Sequence, residues 1–559
     1  MLVPPRKPKR STSVVRALGS SADLDRLQPH LPQEAYECLY YIAEGCSVAQ
    51  ALEYAGMDNE PHVDTTDLAT ALAHPDSRRR FHLLETADDL ESILDAPMEK
   101  WRVFLHPSQE RLVTRSFQGP ARVLGGAGTG KTVVAMHRAR HLARNFFTTA
   151  RDRILFTTYT RNLATNIQQN LQNLCGPEIE RIDVVNLHAW VMQFLNQNGR
   201  RPVLVEESES RQCWRNAVER TGGQLWPETF LRREWEVVIQ GQAITDRAGY
   251  LRASRQGQLR ALSRIQRDEI WPIFAAYRAE LEGMGKIEWQ DVVREAHELL
   301  AAGTAHSPYR SIVVDESQDM TAEELRLLRS MVPEGPNDLF FVGDAHQRIY
   351  GYPVVMQQCG IYIRGRSARL RINYRTTEEI RRWATAVLSG MPFDDLDGEK
   401  DVLDHYHSLL HGFAPLVRHF ATLEEESAFL VQEIRSLCET AVPDTICLVA
   451  RTHEQLRSHY LPLLRSAGIN HLFLDRDTPD YVGSGIRLAT MHRVKGLEFA
   501  HVLLAGVNAA YMPPRGIATP GDDLLQAERC LLHVAATRAR ETLTVTCWGT
   551  PSPLLSATA

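Results

Sequence analysis

Residues 121–140 read ARVLGGAGTGKTVVAMHRAR. A short apolar run leads into Gly125, Gly126, Gly128 and Gly130, and a helix-period pattern begins at Lys131. The spacing G-x-x-x-x-G-K-T from Gly125 to Thr132, placed after a strand and opening a helix, is the setting in which a glycine-rich loop wraps phosphate. Gly126, Ala127, Gly128, Thr129 and Gly130 would turn their backbone N–H groups inward, and the helix N-terminus adds partial positive charge. Lys131 would reach the β- and γ-phosphates and Thr132 would ligate Mg²⁺. A strand feeding such a loop makes the chain an α/β protein with a P-loop sheet.

Working outward, the texture from about residue 101 is short β-branched runs separated by helices: 121–124, 153–158, 182–186, 311–315 and 338–342, then 446–450, 486–490, 501–505 and 542–547. Strands alternating with helices imply parallel sheets covered on both faces, and two separate series imply two such sheets. Residues 196–299 are rich in Trp, Arg and Glu and largely helical, and read as an insertion into the first series. The segment 21–100 alternates helical patterns with polar breaks, a small, mostly helical module. Residues 1–20 carry Arg6, Lys7, Lys9, Arg10 and Arg16 before any acid and contain Pro4, Pro5 and Pro8, a disordered basic tail.

The second decisive stretch is VVDESQD, residues 313–319. A strand ending at the carboxyl edge of the same sheet would bring Asp315 beside Mg²⁺, with Glu316 placed to orient or deprotonate water. Alone, the stretch reads more readily as an acidic turn after a buried strand, because such turns are common.

Composition narrows the setting. Apolar residues make up 43% and charged residues 24% of 559 positions, an ordinary globular balance. No run is long and apolar enough to span a bilayer, and no secretory segment follows the start, so a cytoplasmic protein without membrane contact is expected. Nine cysteines with no C-x-x-C support neither a disulfide framework nor a zinc site. The net charge of −6 means that any nucleic-acid binding must use a local groove.

Further stretches stand in order around these two: HPSQERLV (106–113), FTTYTRNLA (156–164), NLHAW (186–190), FVGDAHQRIYG (341–351), RINYRTTEEI (371–380), IRLATMHRVKGLEF (486–499) and ERCLLHVAATRARETL (528–543). The set resembles the UvrD/Rep/PcrA family of superfamily 1 DNA helicases over residues 101–548. The resemblance implies two RecA-like lobes, 101–195 with 300–375 and 376–559. It also implies ATP hydrolysis between them and 3′-to-5′ movement on single-stranded DNA and its junctions with duplex. By the same resemblance Gln109 would read the adenine edge, Arg138 and Tyr374 would sandwich the ring, and Glu498 would touch the ribose. Gln347 would sense the γ-phosphate, and Arg375 and Arg538 would bind its oxygens, the latter as an arginine finger. The DNA track would run over Thr158, Tyr159, Asn162, His188, Trp190, Tyr350, Tyr352, Thr490 and His492. Arg260, Arg264 and Arg267 share a helical face that is either solvated or a phosphate contact.

The chain departs from the family between Arg375 and Ile486, where too few residues remain for the large second insertion. Translocation without processive unwinding, serving DNA repair or defence, is therefore the alternative. The module 21–100 has no counterpart in the minimal motor, and its placement suggests partner binding or autoregulation.

Overall fold

A computed structural model describes residues 105–558 except 106, 224, 256–260, 350–353, 392, 395–399, 402–405, 476–482 and 514–521, together with isolated positions between 24 and 52. The tail and most of the 21–100 module therefore lie outside the described residues.

Two RecA-like lobes form the core. The first sheet contains β1 (Ala121–Gly125), β2 (Arg153–Thr157), β3 (Ile182–Val184), β4 (Tyr309–Val314), β5 (Leu339–Gly343) and β6 (Ser367–Leu370), in the order β3-β2-β4-β5-β1-β6. Every pairing is parallel. β1 and β5 are buried along their whole length, as strands covered on both faces must be. One face packs on Val134, Met136 and Leu142 of the helix Lys131–Asn145, the other on Val191, Leu195, Leu327 and Leu328.

β7 (Ile372–Thr377) leaves this lobe and pairs with β10 (His407–Leu410), past a short hairpin of β8 (Phe393–Asp394) and β9 (Lys400–Asp401). The second sheet joins β11 (Leu416–Phe420), β12 (Ile446–Ala450), β13 (His471–Phe473), β14 (Ile486–Thr490), β15 (Phe499–Leu504) and β16 (Ala539–Trp548), in the order β11-β16-β15-β12-β14-β13, again all parallel. Between Thr377 and Ile486 the described elements serve the hairpin and this sheet, and none builds a further subdomain.

The inserted helices have their own core, in which Trp214 stacks on Tyr277 at 4.0 Å and meets Trp235 and Phe274 edge-on. Arg267 is half-buried and donates to the carbonyls of Tyr250, Leu251 and Ala253, closing the end of the helix Arg247–Arg252. Arg264 stays exposed, and Arg260 is outside the described residues.

Candidate functional site between the lobes

The strand order decides what meets at the carboxyl edge. β1, β5 and β4 lie side by side, so the loops after them deliver Gly125–Thr132, Asp344–Gln347 and Asp315–Asp319 to one place. Gly128 and Gly130 adopt φ of +73° and +82°, open to glycine at little cost. Space is as strict as torsion there. A Cβ on Gly128 would lie 2.2 Å from Asn373 Oδ1, and one on Gly130 2.8 Å from Gln109 Nε2.

Thr132 Oγ1 donates to Asp315 Oδ2 at 2.8 Å, which puts two hard oxygen donors side by side. That pair suits Mg²⁺, which takes few protein ligands and completes its shell with phosphate and water. Burial, then the adjacent Glu316 carboxylate, push Asp315 upward in pKa, against the Thr132 hydrogen bond. A divalent cation there would stabilise the carboxylate form that burial disfavours.

Glu316 takes left-handed torsions, φ 57° and ψ 38°, at a cost of about 1–2 kcal/mol for a residue with a Cβ. Its N–H donates to Asp315 Oδ1 at 3.0 Å, its carboxylate accepts from Gln318, and it faces the inter-lobe cleft.

Asp344 is the hub of the site. It accepts from Gln347 Nε2 at 2.8 Å, lies 3.6 Å from Lys131 Nζ and contacts His346 Nδ1 at 3.1 Å. Burial alone would raise its carboxyl, but Lys131 and His346 outweigh it and hold the group far below the usual range. Gln347 Oε1 accepts from Arg538 Nη2 at 2.7 Å, so one chain of polar contacts runs from the second lobe to the P-loop lysine. Lys131 also donates to the carbonyls of Gly125 and Gly126 at 2.7 and 2.8 Å. Arg375, on the strand that leaves the first lobe, pairs with Glu498, and both line a cleft of about 900 Å³ with Lys131, Thr132 and Arg538.

Asp344 carried no role in the sequence reading, and neither did two further residues of the site, Lys495 and Asn373. Lys495 is buried and pairs with Asp319, donates to the Gln347 carbonyl at 2.7 Å and stands 3.9 Å from Glu316. Asn373 Oδ1 accepts from the N–H groups of Arg375 and Thr376 at 2.8 and 3.1 Å, while Tyr374 N–H donates to Gly128 O at 3.1 Å. Both sit inside quoted motifs, KGLEF and NYR, and a motif gives no sign of which member turns inward.

Several expectations need correction. Arg138 is 1% exposed and donates to Val113 O, Arg115 O and Asn337 Oδ1 at 2.6, 2.6 and 2.7 Å, over the rings of Phe117 and Phe340. It is a core strut and forms no sandwich with Tyr374. Beyond Lys131 and Thr132, the residues of that helix that line the cleft are Val133 and Met136, one and four positions after Thr132. The buried Gln109 amide donates to Thr129 O at 2.9 Å, so its nitrogen braces the loop.

On the expected track, Trp190 is buried, stacked on Phe194 at 4.8 Å within the first lobe's core. Thr158 is fully buried at the end of β2, and Thr490 Oγ1 accepts from Arg493 N–H at 3.2 Å, capping a turn. These three face inward because they continue buried strands or the apolar face of a helix. His492 is half-buried, Tyr350 and Tyr352 lie outside the described residues, and so does the side chain of Asn162 on the helix Arg161–Leu174.

What remains at the surface is a row that includes an unforeseen tryptophan. Tyr159 meets His188 edge-on at 5.8 Å, and His188 meets Trp289 at 4.0 Å. Glu324 Oε1 ties the last two together, 3.3 Å from His188 Nε2 and accepting from Trp289 Nε1 at 3.1 Å.

A family model for the UvrD/REP helicase N-terminal domain matches residues 105–354, and one for the UvrD-like helicase C-terminal domain matches 463–549. The chain belongs to the UvrD/Rep/PcrA family of ATP-hydrolysing DNA helicases. Among curated members of this family, it is 24% identical to a probable DNA helicase of Mycoplasma pneumoniae over 78% of this chain and 82% of that one. It is 22% identical to DNA helicase IV of Escherichia coli over 84% and 71%. It is 24% identical to the ATP-dependent DNA helicase PcrA of Leuconostoc citreum over 61% of this chain and 46% of the relative, so it spans about half of that protein.

Proposed function

We propose that this helicase-family chain is a motor that hydrolyses ATP between its lobes and steps 3′ to 5′ along single-stranded DNA. The observation that carries the reading is the Lys131–Asp344–Gln347–Arg538 chain, which joins P-loop and second lobe at the cleft. In this reading Lys131 and the loop N–H groups orient the phosphates, and Glu316 positions the attacking water. Arg375 and Arg538 offset charge developing on the transferred group. Thr132 and Asp315 would hold Mg²⁺, which would supply charge neutralisation for the phosphates. Tyr159, His188 and Trp289 form a stacking platform for bases, tolerant of sequence because every base has a π-face.

ATP hydrolysis measured with and without single-stranded DNA tests the proposal. Strong stimulation is expected, lost in Lys131→Ala. A rate indifferent to DNA would remove the motor reading. Blocking either end of a tailed strand separates the two directions.

A second reading is favoured by the described elements between Thr377 and Ile486, which build no subdomain beyond the second sheet. It is a DNA-stimulated ATPase that translocates or switches a partner without processive unwinding, with residues 21–100 as the partner-binding segment. Partial duplexes that stay annealed under full ATPase activity would select it. Among the described residues no helix is long and apolar enough to cross a membrane, which is compatible with a motor acting in the cytoplasm.

A further inference from the structure

Immediately before Trp289 stands Glu288, whose carboxylate is enclosed by donors from the inserted subdomain. Trp235 Nε1 and Gln240 Nε2 both donate to its Oε2, at 2.6 and 2.7 Å, and Tyr277 Oη donates to its Oε1 at 2.7 Å. Tyr277 is itself fixed by stacking on Trp214 and by Ser210 Oγ at 3.0 Å.

Trp235 and Gln240 are five positions apart, the two ends of a π-helix spanning Trp235–Gln240. With 3.6 residues per turn, α-helical positions five apart point about 140° away from each other. The wider π-turn, closed by i→i+5 bonds, brings them to one side and lets both reach one oxygen. Regular α-helix at this place would lose one of the two donors. π-Turns concentrate at functional sites, and this one ends against the first lobe, where Arg326 Nη2 donates to Gly241 O at 3.3 Å and Arg294 Nη2 to Gln240 Oε1 at 2.7 Å. Arg294 lies on the helix Trp289–Ala301, which the sequence reading puts in the insertion up to residue 299 but whose Val292, Val293 and Ala296 pack in the first lobe's core.

We propose that Glu288 is a positioning residue for nucleic-acid binding: gripped by the π-helix of the inserted subdomain, it sets the Trp289 indole against His188. Two anchors hold the ring. Glu288 fixes the backbone at the start of the helix Trp289–Ala301, its own N–H donating to Asp291 Oδ2 at 3.3 Å, and Glu324 fixes the indole N–H. The inserted subdomain thereby controls the platform through one carboxylate. Any shift of its helices relative to the lobe is passed to the stacking surface. The inference rests on the platform reading of Trp289 given above.

The test is ATPase activity of the full chain titrated with an oligothymidylate, comparing Glu288→Gln, Trp235→Phe and Trp289→Ala. Glu288→Gln offers an amide N–H to donors that need an acceptor. Its half-saturating oligonucleotide concentration should rise about ten-fold, with the saturated rate within about two-fold of the parent, the scale of one weakened base stack. Trp235→Phe removes a single donor and keeps the ring, and should shift half-saturation about three-fold in the same direction. It decides the matter if Glu288→Gln is poorly folded. Parent-like half-saturation in Glu288→Gln and Trp235→Phe, with Trp289→Ala impaired, overturns the positioning role and leaves the platform standing. Parent-like behaviour of Trp289→Ala overturns the platform, and the inference with it.

Discussion

Arg538→Ala should lower the ATP turnover number far more than it changes the KM for ATP. The side chain sits at 7% exposure on the second lobe, Nε donating to Val534 O at 3.0 Å and Nη2 to Gln347 Oε1 at 2.7 Å. Two of the five guanidinium donors are thus used for placement, and the head group lines the phosphate end of the cleft. Burial works to lower its pKa, while Glu316 and Glu498 favour the charged form. A cation in so little water acts on developing negative charge with small screening. Arginine fingers in such sites contribute roughly 10³–10⁵ in kcat, or about 4–7 kcal/mol. The same deletion strips Gln347 Oε1 of its donor, about 1–3 kcal/mol of local stability, too little to explain the kinetic loss. Steady-state ATPase at saturating single-stranded DNA, with thermal unfolding alongside, separates the two effects. Arg538→Lys keeps charge without the planar fork and should fall between. A kcat reduced less than ten-fold, or a raised KM at unchanged kcat, would refute the reasoning, because it would place the contact in the ground state.

Arg138→Met should cost about 3–5 kcal/mol of stability by orphaning Val113 O and Arg115 O and by leaving Asn337 Oδ1 only the Phe117 N–H, with KM for ATP within about two-fold. Unchanged stability with a ten-fold higher KM would restore an adenine role. Lys495→Met leaves the buried Asp319 carboxylate unpaired at the lobe junction, and DNA-stimulated turnover should collapse as small-angle scattering reports a larger radius. Parent-like turnover and radius together would dismiss Lys495 as a latch. Burial pushes His533 and His492 down to about 4, against an ordinary value near 6.5. Groups with depressed folded values bind protons more readily when unfolded, so their stabilising effect is complete above about pH 6.5 and is lost as pH falls toward 4. Melting temperature should drop steadily across that window, and a flat or rising profile would contradict it.

Chemistry that depends on backbone and short-range order was legible in the chain itself. The P-loop, the Asp315–Glu316 pair and the central strands are contiguous patterns, and a buried parallel strand must be a continuous apolar run. The edge strands β6, β11 and β13 escaped because one side faces solvent, so SARL, LVRHF and HLF carry no such run. The direction a side chain takes from its element was another matter. Arg138 and Trp190 sit in helices whose buried faces are set by the sheet beneath, and the sequence marks an arginine or a tryptophan without saying which way it points. Only the packed lobes bring Lys495 to Asp319, Arg538 to Gln347, and a π-turn to Glu288, since each contact spans at least 48 residues and depends on angles no local pattern contains. Composition, loop chemistry and strand texture determined the kind of machine. Tertiary structure decided which of its polar side chains face the cleft and which hold the frame.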